Sequence, residues 1–339
     1  MMPPIHALAA KAPGAKLERF QYEPGPLGPG QVEIKVASCG VCHSDLSMRN
    51  NDWGMTQYPF VPGHEVAGTI AAVGPGVTSA KVGDRVGLGW YSGCCHSCRQ
   101  CLGGDHNLCV AGEGTIVGRH GGFADRVRCQ ALWATPLPDA IDFASAGPLF
   151  CGGITVFNPL VQFDVRPTHR VGVVGIGGLG HLALQFLNKW GCEVIAFTSS
   201  DAKREEARRL GAHHAVATRD DAAIERLKKS IDFLLVTVNV SLNWPAYIDA
   251  VAPKGRLHVV GAVPEPIPVG AFALLGAQRE VSGSPVGGPR VLGDMLDFAA
   301  RHSIRPMIES FPMSRVNEAF EHLHAGKARY RIVLNNDLA

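Results

Sequence analysis

Apolar residues change their spacing part-way along this chain. In the first 150 residues they alternate with polar ones over short runs. Gln31–Ser38 sets Val32, Ile34 and Val36 on one face, the pattern of a half-buried strand. Glu65–Gly74 and Arg85–Leu88 read as further strands, punctuated by Pro75-Gly76 and Gly83-Asp84 turns. Val41–Arg49 fits a short helix. From about Gly152 the rhythm becomes strand, helix, strand, helix. Strands are predicted over Arg170–Val174, Glu193–Thr198, Ala215–Thr218, Asp232–Val238, Arg256–Gly261 and Glu280–Gly283. Helices are predicted over Leu179–Trp190, Asp201–Leu210, Ala222–Leu227, Leu242–Val251 and Val291–Arg301. Such alternation builds βαβ units and a doubly wound parallel sheet. A capped amphipathic helix at Ser314–Ala325 and a strand at Tyr330–Leu334 follow a full set of six strands, so they are expected to return to the first domain. The reading is two domains with a cleft between them. One is β-rich, over 1–150 and 286–339; the other is α/β, over 151–285. A length of 339 residues admits both.

Composition narrows the partners. A hydrophobic fraction of 46% and a charged fraction of 18% are those of a soluble globular protein. A net charge of +2 is too small to point to nucleic acid or an anionic membrane. No apolar run reaches the roughly 18 residues of a membrane span; Val171–Leu187 is broken by five glycines and His181. Residues 1–12 lack the pattern of a signal peptide. Ten cysteines without such a signal favour metal chemistry over disulfides and a reducing cytoplasm.

Four of these cysteines fall close together. Cys95, Cys98, Cys101 and Cys109 are spaced C-x2-C-x2-C-x7-C. Four thiolates can close a tetrahedral Zn²⁺ and leave no open position, so this site is expected to be structural. Cys94 competes with Cys95 as first ligand, and the even spacing favours Cys95. Cys39, Cys129 and Cys192 are left over.

Arg170–Gly175 reads as a strand entering the loop Gly175-Ile-Gly177-Gly178-Leu179-Gly180, with a helix after it. Glycines there permit a tight turn and let the backbone approach a pyrophosphate, which the helix N-terminus attracts. This is the context of a Rossmann dinucleotide site. An acid at the end of the second strand would bind a ribose 2′-hydroxyl and indicate NAD. The chain has Thr198, Ser199 and Ser200 there instead. Small hydroxyls leave room for a 2′-phosphate, and Lys203 or Arg204 can neutralise it, which favours NADP(H). Two alternatives stay open: Ser200 or Asp201 is simply a helix N-cap, or Asp201 reaches the ribose.

Cys42, His64 and Cys151 are candidate ligands of a second zinc. Two thiolates and one imidazole leave a fourth position for substrate, where the metal lowers an alcohol's pKa and polarises a carbonyl. Each has a plainer reading: Cys151 as a small buried apolar side chain, His64 as a hydrogen-bonded loop residue.

These motifs in this order resemble the zinc-dependent medium-chain alcohol dehydrogenases, and within them the cinnamyl-alcohol dehydrogenase-like, NADP-preferring aldehyde reductases. The resemblance runs over the whole length and is carried by Gly40–Asp45, Pro62–Glu65, the four-cysteine lobe, Cys151–Val156, Gly175–His181 and Arg329–Arg331. It implies a GroES-like catalytic domain, a Rossmann domain and a homodimer formed through the Rossmann sheets. It implies that Cys42, His64 and Cys151 hold the catalytic zinc, that Glu65 lies beside it, and that Asp45 fixes the His64 ring. Ser44 would begin a proton relay, His43 would touch the cofactor phosphates, and Arg331 would lie near the pyrophosphate. Relatives that reduce a conjugated C=C bond lack the relay hydroxyl or the acid; Ser44 and Glu65 are both present.

Trp53, Trp90 and Pro285-Val286 fall where that family lines its substrate pocket. Aromatic or medium aliphatic aldehydes and primary alcohols are the expected substrates. Either tryptophan also suits plain packing. Two rivals remain. An NAD-linked polyol or secondary-alcohol dehydrogenase would want an acid near Thr198 and usually Glu in place of Cys151. A non-enzymatic, zinc-stabilised NADPH-binding protein would not need an open metal site.

Overall fold

The computed structural model describes residues 3–199 and 202–338. It divides into two compact units. The first comprises Met1–Ile154, Gly287–Arg301 and Arg305–Ala339; the second comprises Thr155–Val286 and His302–Ile304. The sequence pattern predicts these crossings at 150/151 and 285/286.

The first unit is built on a seven-stranded sheet. In spatial order its strands are Ile308–Pro312, Arg331–Asn335, Gln31–Val41, Val66–Val73, Arg85–Leu88 and Thr135–Pro136, with Arg126–Gln130 also paired to Gln31–Val41. Gln31–Val41 outruns its predicted end at Ser38 because its far half pairs with Arg331–Asn335, Val41 opposite Ile332. Val32, Ile34, Val36 and Cys39 from this strand enter a core with Val66, Ile70, Val86, Val127, Phe123 and Phe320. The C-terminal helix Val316–His324 buries Val316, Ala319, Phe320 and Leu323 in that core at helical spacing. A separate hairpin, Ile5–Ala9 with Glu18–Tyr22, and the strand Ile308–Pro312 have no counterpart in the predicted elements.

The second unit carries a six-stranded parallel sheet in the order His214–Ala217, Glu193–Thr198, Arg170–Val174, Ile231–Val236, Val251–Val259, Glu280–Gly283. This is the doubly wound order, with its switch point between the third and fourth of these. Val171, Val173 and Val174 are fully buried, as expected for a central strand covered on both faces. Three predicted strands match residue for residue; Val251–Val259 begins earlier than predicted, extending across Pro253 and Gly255.

The helix Gly152–Gln162 was not predicted. Gly152, Gly153 and Pro159 read as breakers, and proline inside a helix costs about 3 kcal/mol. Here Ile154, Val156, Phe157 and Leu160 are all buried. At about 1.5–3 kcal/mol per large apolar side chain, their burial outweighs that cost. No single helix among the described residues is long and apolar enough to cross a membrane.

Candidate active site

Three connections of the first unit, at Cys42, at His64–Glu65 and at Cys151, bring these four residues together. One ligand atom from each lies within 4.8 Å of the others. The local cause begins at Cys42, which precedes the helix His43–Asn50. Asp45, in the first turn, accepts from the Cys42 amide through Oδ2 at 3.0 Å. Its Oδ1 accepts from the Gly63 amide at 2.8 Å and lies 3.0 Å from His64 Nδ1. One buried carboxylate therefore caps the helix, fastens the loop that carries His64, and orients the ring.

Two glycines are required here. A side chain at Gly40 would sit 2.0 Å from Glu65 Oε2, and Gly63 has φ +103° with Phe123 packed against it.

The donor set matches a cation. Cys42 Sγ and Cys151 Sγ are 4.0 Å apart. His64 is fully buried and its Nε2 has no hydrogen-bond partner, an expensive omission unless the lone pair meets a metal. The Cys151 thiol nearby holds the Cys42 thiol far below its ordinary value, although burial opposes this. Burial favours a neutral His64 ring, but the Asp45 carboxylate and Cys42 outweigh it and draw positive charge onto the imidazole. Two sulfurs and an imidazole that together demand positive charge fit Zn²⁺.

Glu65 and Arg331 form a buried ion pair beside these donors. Burial pushes the Glu65 carboxyl up to about 7, with Arg331 acting against the shift. Glu65 Oε2 remains unpartnered. Arg331 was expected near the cofactor pyrophosphate and, on its strand, as an exposed charge in the plain reading. It is 6% exposed, on a strand paired on both sides, and it pairs with Glu65 through one amino group while its Nε has no partner. Ser44 Oγ lies 3.7 Å from Cys42 Sγ and is half-buried. His43 is exposed in the first helical turn. Trp90 meets the His64 ring edge-on at 5.0 Å, and Trp53 meets Trp90 at 6.2 Å. Trp90 thus borders the donor set, and Trp53 stands behind it.

The second cluster is Cys95, Cys98, Cys101 and Cys109. The Cys98 and Cys101 amides donate to the preceding ligand sulfurs at 3.3 and 3.5 Å, and the Cys95 amide donates to Cys109 Sγ at 3.4 Å. Backbone donors from Ser97 and Cys98 bring the Cys95 thiol down to about 6. Cys94 is buried apart, 3.8 Å from His96 Nδ1.

In the second unit the loop after Arg170–Val174 is shaped for close approach. Gly175 has φ +92°. A side chain at Gly180 would strike the Gly175 carbonyl at 1.9 Å, whereas Gly177 faces open space. Gly178 and Leu179 form the turn before the helix Gly180–Trp190. Two residues that the motif alone did not single out hold this loop. Thr237 Oγ1 donates to the Val174 and Gly175 carbonyls at 2.9 and 2.8 Å, and His181 Nδ1 lies 3.0 Å from the Gly177 carbonyl. The signal for His181 was its place directly after the glycine motif; Thr237 gave none. Thr198 ends its strand buried and Ser199 follows exposed. Lys203 is half-buried in the first turn of Ala202–Arg209, and Arg204 lines a groove over the edge strand with Arg226 and Asp220. Ser200 lies outside the described residues. Pro285 is exposed just past the last strand.

The profile described as alcohol dehydrogenase GroES-like domain matches residues 28–139, and that described as zinc-binding dehydrogenase matches residues 178–301. The chain is 55% identical to aldehyde reductase AdhA of Synechocystis sp. over 332 residues, 98% of this chain and 99% of that one. It belongs to the zinc-dependent medium-chain alcohol dehydrogenase family. A cinnamyl alcohol dehydrogenase structure from Sorghum bicolor superposes with a TM-score of 0.94 at 34% identity, covering 98% of each chain. One from Helicobacter pylori, complexed with NADP(H), gives 0.90 at 28% identity, covering 99% of each. The expected fold class, a GroES-like domain with a Rossmann sheet, stands on these matches, and so does the assignment of the chain as an oxidoreductase.

Proposed function

We propose that this chain is an NADP(H)-dependent aldehyde reductase that interconverts aldehydes and primary alcohols, with Cys42, His64 and Cys151 holding a catalytic zinc. The observation that carries the reading is the unpartnered Nε2 of fully buried His64, aimed into a group whose other members are two close thiols. When bound, zinc supplies Lewis-acid polarisation of the carbonyl oxygen, and NADPH supplies the hydride.

The protein's own groups do the rest. Asp45 keeps the proton on His64 Nδ1, so that Nε2 presents its lone pair. Ser44 passes a proton between the substrate oxygen and solvent. Glu65, bonded to Arg331 through one oxygen, keeps its other oxygen beside the ligands, where it would bind the metal transiently during ligand exchange. Trp53 and Trp90, set edge to face, offer an apolar corner to an aromatic or medium aliphatic aldehyde. The Gly175–Gly180 turn of the second unit receives the cofactor pyrophosphate.

NADP(H) is preferred because Thr198 and Ser199 bring no carboxylate to the ribose, while Lys203 follows in the next helix. A cofactor 2′-phosphate would pair with Lys203 or Arg204, both in the first turn of that helix. Cys95, Cys98, Cys101 and Cys109 hold a second, structural zinc.

The enzyme works as a cytoplasmic homodimer. The last strand of the second unit's sheet, Glu280–Gly283, is an open edge, and nearby Phe272 and Leu275 are 88% and 71% exposed. Ten cysteines outside any disulfide suit a reducing compartment.

The test is initial rate with cinnamaldehyde and a short aliphatic aldehyde, NADPH against NADH, on protein of known zinc content. NADPH-dependent turnover at two zincs per chain is expected. No turnover with either cofactor on fully loaded protein would refute the reading.

A further inference from the structure

His258 is a fully buried histidine of the second unit that the proposed chemistry does not use. Both of its ring nitrogens are engaged. Nδ1 lies 2.9 Å from Ser282 Oγ and Nε2 lies 2.9 Å from Ser284 Oγ. The ring sits against Phe163 and Phe233, with centroids at 5.0 and 5.8 Å. Burial, reinforced by the nearby Arg256 guanidinium, pushes its pKa down to about 4, so the ring is neutral. A neutral imidazole has one donor and one acceptor, and a hydroxyl can serve either. The two serines therefore satisfy it completely.

The setting is otherwise aromatic. An apolar residue at 258 would pack against Phe163 and Phe233 without burying polar atoms. The bridge instead fixes geometry. His258 and Ser282 are opposite each other in the parallel ladder, whose last pair is Val259 with Gly283. Ser284 is the first residue beyond that pairing. The His258–Ser284 bond thus ties down the chain where it leaves the sheet, immediately before Pro285 and Val286.

That exit lies at the carboxyl edge of the sheet, where doubly wound folds bind their ligands. The strand Arg170–Val174 feeds the pyrophosphate turn, and Thr198–Ser199 end the strand on its adenosine side. The ends of Ile231–Val236, Val251–Val259 and Glu280–Gly283, on the other side of the switch point, are left for the second mononucleotide half. We infer that His258 is a positioning residue for the nicotinamide half of the cofactor: by pinning Ser284 it sets the Ser284–Val286 segment against which that half is held, without touching the cofactor itself. This rests on the NADP(H) reading above.

The test compares two ligands on the intact zinc-loaded enzyme. NADPH probes both halves of the site, and adenosine 2′,5′-bisphosphate probes the adenosine half alone. His258→Leu and Ser284→Ala are each expected to weaken NADPH by about tenfold, the loss of one well-placed hydrogen bond. Neither should move the bisphosphate by more than about twofold, and the double variant should be no weaker than His258→Leu, since both changes cut one tie. Equal weakening of both ligands would mean a general structural role and overturn the proposal, as would unchanged NADPH affinity in Ser284→Ala. Wild-type protein that binds neither ligand would instead sink the dinucleotide reading on which the proposal depends.

Discussion

The two metal centres of the first unit use related donors and are built in opposite ways. In the lobe, all four sulfurs come from one short segment, with Cys95 and Cys109 only 14 residues apart. Its own backbone amides point at the Cys95, Cys98 and Cys109 sulfurs and favour the ionised form of Cys95 and Cys98. At the other centre, Cys42 and Cys151 are 109 residues apart, and the groups that orient the donors are distant side chains: Asp45 for His64, Arg331 for Glu65. The lobe closes on four thiolates and stabilises a loop. The buried centre gathers two thiols, an imidazole and Glu65, whose second oxygen bonds Arg331, so its donor set is mixed. A local loop can make a metal site; an open one has to be held apart by the fold.

That contrast can be broken experimentally. The largest effect is expected from Cys42→Ala, which should lower kcat/KM by at least about 10³-fold, the several kcal/mol of a lost Lewis acid. Metal analysis should fall from two zincs to one, with the circular dichroism spectrum unchanged. Loss of both metals together would mean that the centres are not independent. Next, Ser44→Ala should reduce kcat by about 10²-fold at full zinc content; a rate within a factor of two of wild type would move the relay to another group.

Asp45→Asn should weaken zinc at the buried centre about 10- to 100-fold in chelator competition and leave the lobe metal in place. Equal retention of both zincs would show that the carboxylate does not tune the site. The smallest catalytic effect is expected from Cys98→Ala. It should release the lobe zinc and lower the melting temperature by roughly 5–10 °C. Activity per folded molecule at 20 °C should stay within about threefold, the reverse of the Cys42→Ala outcome.

Legibility in the sequence follows the same division. The lobe was readable because its spacing is its geometry. The strands Arg170–Val174, Glu193–Thr198 and Glu280–Gly283 were readable because each is a continuous run bounded by turn residues. Gly152–Gln162 was not, because its glycines and proline outweigh its pattern locally and only burial reverses the balance. The pairing of Arg331 with Glu65 was hidden for a related reason. The arginine's charge argues for solvent or phosphate, and nothing nearby in sequence announces Glu65, 266 residues away.

By itself, the sequence determined the two-domain alternation, the cysteine lobe, the glycine turn and the family, since all of these depend on residues within about one turn or one supersecondary unit of each other. Only the tertiary structure decided that Asp45 serves a helix cap, a loop and a histidine at once, that Glu65 is balanced by Arg331, and that His258 bridges two serines at the mouth of the sheet. Those arrangements turn on burial. Out of water, a charge or an orphaned nitrogen must find a partner wherever the fold supplies one, and chain separation does not enter the energy.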